Sequence, residues 1–132
     1  MHVITEADVF SRLPRRQADT NKGSFGRVAA VAGCMAYRGA AALCCEGALR
    51  TGAGLVYLAG VEPVVALALA RTPECCALPC RTDPDGGILA ADAAAGRRRF
   101  AESPAVLLAG PGRGPTAGQV LAALLGPGAP WR

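Results

Sequence analysis

The sequence predicts an α/β architecture: a parallel sheet of about four strands, buried between helices. Three observations carry this. Short, unbroken apolar runs recur along the chain, at residues 27–33 (RVAAVAG), 55–60 (LVYLAG) and 105–109 (AVLLA), with a weaker one at 75–80 (CCALPC). Continuous rather than alternating runs are the mark of strands buried on both faces. Between the runs lie segments of helical length and composition. The 17 glycines and 10 prolines are spread along all 132 residues, as many tight strand–helix connections require. Aromatic residues are only 5% of the chain against 52% apolar, so the core must be built from Ala, Val and Leu.

Taken in order, residues 5–13 form a short helix. Thr5 is placed to accept from the free N–H groups of its first turn, and Pro14 ends it. Residues 15–26 are polar and glycine-bearing, a loop. After the first strand and a connection at 34–38, residues 39–51 (GAAALCCEGALRT) read as a helix, small and apolar almost all round and therefore buried. Gly52-Ala53-Gly54 stops it. The second strand is followed by a helix at 62–71, broken by Thr72-Pro73-Glu74. The third strand leads to a turn, Asp83-Pro84-Asp85-Gly86-Gly87. Residues 89–102 are largely helical. The fourth strand runs straight into Gly110-Pro111-Gly112-Arg113-Gly114, and a helix follows at 115–125 with proline in its first turn. There is no internal repeat.

The net charge is +4, from thirteen arginines, one lysine and ten acids. The basic runs Arg97-Arg98-Arg99 and Arg15-Arg16 lack interleaved aromatic residues, so a nucleic-acid partner is not expected. No segment has the length and apolarity of a membrane span, and residues 1–16 hold no signal-peptide apolar core. A soluble cytoplasmic protein is expected. The six cysteines form no CxxC pair, and the one histidine, His2, is terminal. They read as free thiols acting as small hydrophobic residues, and no metal site is expected.

Ligands of parallel sheets bind at the carboxyl ends of the strands. Three loops fall there by sequence: 33–39, 60–63 and 110–114. The last offers three glycines in five residues, and the helix behind it directs unpaired N–H groups at the loop. Gly33 and Gly39 do not make a phosphate-binding P-loop, because Ala40-Ala41 replace the required Lys-Ser/Thr. Asn21-Lys22-Gly23-Ser24-Phe25-Gly26 sets the chain's sole lysine between glycines, which suits either an anion or a plain turn before a strand. No catalytic triad is available, and no carboxylate follows directly on a strand within a glycine-rich loop. Glu46, inside an otherwise apolar helix, is either a buried partner for an arginine or a surface residue.

The order of these motifs resembles a known family. Residues 16–26, Val28 to Gly33, Gly39-Ala40-Ala41, ALRTGAGLV at 48–56, Pro73-Glu74 and Gly110-Pro111-Gly112 follow one another as in the ADP- or ATP-dependent NAD(P)H-hydrate dehydratases. The resemblance runs from about Thr5 to the end. It implies a three-layer, ribokinase-like fold and the nucleotide-driven dehydration of hydrated NADH or NADPH, with ADP or ATP and Mg2+ as cofactors. It implies further that Ala40 and Ala41 line the hydrate pocket with Gly110 and Gly112, and that Lys22, Gly23 and Gly26 shape a loop over the same pocket. Three departures accompany it: Asn21 stands where the family usually has His, Arg113 where it usually has Leu, and the chain is about half of a family domain. The segment carrying the catalytic Gly-x-Gly-Asp loop and the adenine site is not among these residues, so no catalytic residue is assigned and the chain alone is expected to be inactive. A small-molecule kinase of the same fold and a non-enzymatic remnant are the alternatives. A homo-oligomer is possible.

Overall fold

In the computed structural model, residues 3–13, 15–103 and 105–131 are described. The elements are α1 (Glu6–Arg12), a 3-10 turn (Lys22–Phe25), β1 (Arg27–Val31), α2 (Arg38–Arg50), β2 (Leu55–Val61), α3 (Glu62–Arg71), β3 (Cys76–Cys80), α4 (Ala90–Arg98), β4 (Val106–Ala109) and α5 (Ala117–Leu125). The four strands form one sheet in the order β3-β2-β1-β4. Every pairing is parallel: Arg27 lies beside Leu55, Val28 beside Val106, and Tyr57 beside Cys76. Helices α2 and α3 pair on one side of the sheet and α4 and α5 on the other, giving the expected three layers.

The core follows from the apolar runs. Ala30, Ala32, Val56, Leu58, Val61, Val64 and Ala68 are wholly removed from solvent. Burial of each Val or Leu contributes about 1.5–3 kcal/mol. Alanine and glycine at the contacts let backbones approach: Gly60 lies against Val64, Val65 and the carbonyl of Ala32. The opposite face is built differently. Its sheet residues include Ala29 and Ala59, too small to reach the helices above, and a recess of about 490 Å³ separates them from Ala93 and Gly96 of α4. Tyr57, Phe100 and Trp131 close one end as an aromatic row, with ring centroids 5.3 and 5.6 Å apart.

Several local expectations are met. Thr5 caps α1, accepting from the Asp8 N–H, while its own N–H donates to the Asp8 carboxylate at 2.8 Å. Pro14 and His2, assigned above as a helix stop and the sole histidine, lie outside the described residues. Other expectations are corrected. Helix α2 is buried along one stripe only, through Ala41, Ala42, Cys45 and Ala48, while Leu43 faces solvent. Glu46 is half-buried and bonds two arginines, Arg50 at 2.7 Å and Arg71 at 3.4 Å, tying α2 to α3. Helix α4 ends at Arg98, short of residue 102, and α5 starts at Ala117, after Pro115. Strand β4 was expected to be buried. It is an edge strand, and none of its four apolar residues is buried.

Candidate functional site

Three loops meet at the carboxyl end of the sheet. The first leaves β1 through Gly33, whose N–H donates to the Pro111 carbonyl at 2.9 Å. The second is the loop Gly110–Gly114 after β4, anchored by the Gly110 N–H donating to the Val31 carbonyl. The third is the turn after β3, where the Gly86 carbonyl accepts from the Met35 N–H at 2.8 Å. The loop expected at residues 60–63 does not exist. Strand β2 runs through Val61 and α3 begins at Glu62 without a connection.

Glycine is required at this rim for two separate reasons. Gly112 has φ of 66°, and a Cβ there would sit 2.7 Å from the Ala40 Cβ and 2.9 Å from the Tyr37 Cβ. Its backbone thus packs directly on the start of α2. Gly110 has φ of 141° and nothing within 4 Å of where a Cβ would stand, so its surface is open to an incoming group. Ala40 is half-buried beside Gly112. Ala41 is fully buried in the core, and a Cβ on Gly33 would lie 3.1 Å from its methyl. Ala41 therefore supports the rim from below and does not line it.

Two residues of this edge were given no site role from the sequence, although Arg113 stood out as a departure from the family pattern. Asp83, only 9% exposed, accepts from the Asp85 and Gly87 N–H groups at 2.9 and 2.8 Å and from the Thr116 hydroxyl at 2.7 Å. The Thr116 hydrogen bond, helped by the backbone N–H groups, holds its carboxyl below the usual aspartate range, against the opposing effect of burial. The signal was present: Asp83-Pro84-Asp85-Gly86-Gly87 begins three residues after β3, and an aspartate leading such a turn commonly binds the backbone two residues on. With its oxygens so engaged, Asp83 clamps the β3 turn to α5 and is not a free base. The second residue is Arg113. It is 6% exposed, and its Nε and Nη1 are buried without a hydrogen-bond partner. Burial pulls its guanidinium below the ordinary arginine value.

Lys22, Gly23 and Gly26 are not at this rim. They precede β1 and so lie at the amino end of the sheet, the length of a five-residue strand away, about 16 Å. There the 3-10 turn is capped by Asn21, whose Oδ1 accepts from the Gly23 N–H at 2.8 Å. The turn is buttressed by Gly54, where a Cβ would overlap the Lys22 carbonyl. Gly54 and Leu55 donate to the carbonyls of Phe25 and Gly26, and the Arg16 guanidinium covers the Phe25 ring at 4.3 Å. A second recess, of about 430 Å³, opens beside this turn between Arg15, Ser24, Phe25 and Gly52. The expectation that both glycine loops frame one pocket is therefore corrected. The common parallel direction of the strands separates them.

Two of the thiols are held in the protonated form by burial. Burial, then the neighbouring Cys75, pushes the Cys45 thiol up to about 12. Burial, then Asp92, pushes Cys80 up to about 11. Among the described residues no group of three His, Cys, Asp or Glu is placed to hold a metal ion, and no helix is long and apolar enough to cross a membrane. At the rim, the oxygens of Asp83 are already engaged and offer no free carboxylate to a Mg2+ ion.

No protein-family profile matches the chain. Individual proteins do. A bifunctional NAD(P)H-hydrate repair enzyme from Moorella thermoacetica is 38% identical over 89 residues, which are 65% of this chain and 16% of that protein. An ADP-dependent (S)-NAD(P)H-hydrate dehydratase from Listeria monocytogenes is 36% identical over 75 residues, 57% of this chain and 27% of its own length. Among solved structures, a ribokinase-like superfamily protein of Enterococcus faecalis superposes with a TM-score of 0.70 at 24% identity, over 91% of this chain and 40% of that one. The ADP/ATP-dependent NAD(P)H-hydrate dehydratase of Bacillus subtilis, crystallised with ATP and Mg2+, gives 0.65 at 28% identity, over 90% and 39%. The chain spans well under half the length of each of these proteins, and over that partial length it is similar to the NAD(P)H-hydrate dehydratases and has the ribokinase-like fold.

Proposed function

We propose that this chain supplies one side of the hydrate-binding edge of an ADP/ATP-dependent NAD(P)H-hydrate dehydratase and is itself catalytically inactive. One observation carries the reading: the open face of Gly110 stands beside Gly112 and Ala40 at the carboxyl end of the sheet, at the motif positions where the family resemblance puts the substrate. A hydrated nicotinamide nucleotide is to rest its ring and amide against Gly110, Gly112 and Ala40, where backbone replaces side chains and admits close approach. Ala41 and Gly33 hold that surface rigid from below. Lys22, Gly23 and Gly26 brace the amino ends of β1 and β2 and take no part in this edge.

The oxygens of Asp83 are committed to Thr116 and to backbone N–H groups, so Asp83 is given no role as base or metal ligand. Nucleotide and Mg2+ are therefore assigned to the rest of the family fold, and no step is derived through them here. The experiment is twofold. Titrating hydrated NADH into the 15N-labelled chain should shift the amide resonances of Gly110 and Gly112 ahead of those of Gly23 and Gly26. Incubation with hydrated NADH, ATP and Mg2+ should give no NADH. Shifts centred on the Lys22 turn would refute the binding edge, and turnover would refute the inactivity.

A further inference from the structure

The recess beneath α4 lies apart from the hydrate-binding edge: none of Gly110, Gly112 and Ala40 lines it. Its floor is Ala29 and Val31 of β1, Ala59 of β2 and Leu78 of β3, and Ala93 and Gly96 of α4 stand above. Its volume, about 490 Å³, falls in the range of small-molecule sites, about 300–1,000 Å³. The lining is mostly apolar, so the body of an occupant must be apolar too.

Charge and ring geometry narrow the occupant further. The acid that lines the recess, Asp92, is already neutralised: the Arg81 backbone N–H donates to it at 2.6 Å and the Arg81 guanidinium at 2.7 Å. Arg97 and Arg99 also line the recess. Arg97 is half-buried and donates through Nη1 to the Ala123 carbonyl at 3.3 Å, which steadies it between α4 and α5. Arg99 is exposed, and its guanidinium stands 6.0 Å from the centre of the Tyr57 ring. No acid among the described residues pairs with either arginine. The opening is therefore positive and the interior apolar, which suits a single negative charge on an apolar body. A phosphate dianion fits less well, because the apolar floor repays none of its desolvation. At the closed end Tyr57 meets Phe100 edge-on at 78°, and Phe100 meets Trp131 at 48°. Such a row offers both faces and edges, the geometries in which a further ring is best received.

We infer that this recess is a binding site for an aromatic monocarboxylate. The ring lies over Ala29 and Ala59 beside the aromatic row, and the carboxylate turns toward Arg97 and Arg99. The site stands or falls independently of the dehydratase reading.

The probe is naphthoate, titrated into the chain by calorimetry and by quenching of Trp131, the single tryptophan. Naphthalenemethanol, its neutral counterpart, and octanoate, an aliphatic acid, are the comparators. Naphthoate should bind about three- to fivefold more tightly than the alcohol, the upper range for an exposed ion pair, and more tightly than octanoate. Arg99→Gln should erase the advantage over the alcohol and leave the thermal midpoint unchanged, since the side chain is exposed. Arg98→Gln removes the same charge one residue away, outside the recess, and should keep the advantage. Ala59→Val narrows the floor and should weaken naphthoate at least about fivefold, as overpacking predicts. Equal affinity for naphthoate and the alcohol overturns the anion. Octanoate binding as tightly as naphthoate overturns the aromatic class. Loss of the advantage in Arg98→Gln reduces it to net charge and overturns the assigned arginines. Undiminished affinity in Ala59→Val, or no binding of any probe, overturns the recess as the site.

Discussion

At Gly112 two costs fall on any side chain. The left-handed backbone disfavours a Cβ by about 1–2 kcal/mol, and the Cβ would press on Ala40 and Tyr37 at under 3 Å, an overpacking worth about 1–3 kcal/mol. Gly112→Ala should lower unfolding free energy in urea by about 2–5 kcal/mol. Gly118, exposed within α5 with nothing within 4 Å of its Cβ direction, is the counter-case; there alanine should gain about 0.5–1 kcal/mol. Arg113 is the reverse kind of anomaly, a buried cation whose Nε and Nη1 meet no acceptor. Replacing unpaired charge by an apolar side chain removes its desolvation cost, so Arg113→Leu should raise stability by about 1–4 kcal/mol, and a fall in the urea midpoint would contradict this. Asp83 adds a pH dependence. Its carboxyl titrates lower in the fold than in the unfolded chain, chiefly through Thr116. Its contribution is therefore complete above the unfolded value, near 4, and is lost as pH falls through the lower folded value. Asp83→Asn should flatten the stability profile across that acid window, read by thermal melts at pH 2.5 to 6. Asp92, lowered by Arg81, continues to titrate there and serves as the internal reference. At this scale the glycines were legible from sequence, because their spacing after a strand is a backbone signal. Asp83 was not, because its role depends on Thr116, thirty-three residues away.

Among the elements, the strands were readable and their neighbours were not. Runs such as RVAAV and LVYLAGV declare burial, and β1 and β2 became the two central strands. AVLLA makes the same declaration, yet β4 is an edge, because burial on its far side depends on a partner strand that no local pattern encodes. The Lys22 turn shows a different failure. A loop that precedes a strand of a parallel sheet must lie at the amino end, and a loop that follows one at the carboxyl end, so the chain direction alone separated Lys22 from Gly112. Motif composition was read without that constraint. Helix α1 tests how little its own sequence secures. Its capping box is complete, but it has seven residues and buries none of them, and Val9 and Phe10 face solvent. Helices this short are marginal without packing. The α1 amides should therefore exchange with almost no protection, while those of α2, with its buried stripe of Ala41, Cys45 and Ala48, exchange near the rate of global unfolding. Comparable protection in both helices would show a tertiary anchor for α1.

Across the whole molecule the two faces of the sheet carry unequal loads. The α2/α3 face is closed by alanine, valine and leucine at zero exposure. The α4/α5 face keeps a recess of about 490 Å³ over Ala29 and Ala59, closed at one end by Tyr57, Phe100 and Trp131. Open to solvent on one side, this recess leaves apolar lining such as Ala59 incompletely packed and in contact with water. The strand residues beneath it are the natural place to recover some of that loss. Ala59 is on central strand β2, lines the recess and is not fully buried. Valine there keeps the strand's β-branched character and grows into empty space. Ala59→Val should raise stability by about 0.5–2 kcal/mol, the usual gain for filling a cavity, which is several degrees in Tm for a chain of this size. The same change should weaken binding of an apolar fluorescent dye, and energy transfer from Trp131, the chain's single tryptophan, to that dye should fall with it. Loss of stability in Ala59→Val, with dye binding unchanged, would mean that α4 already rests on β2 and that the two faces are equally packed.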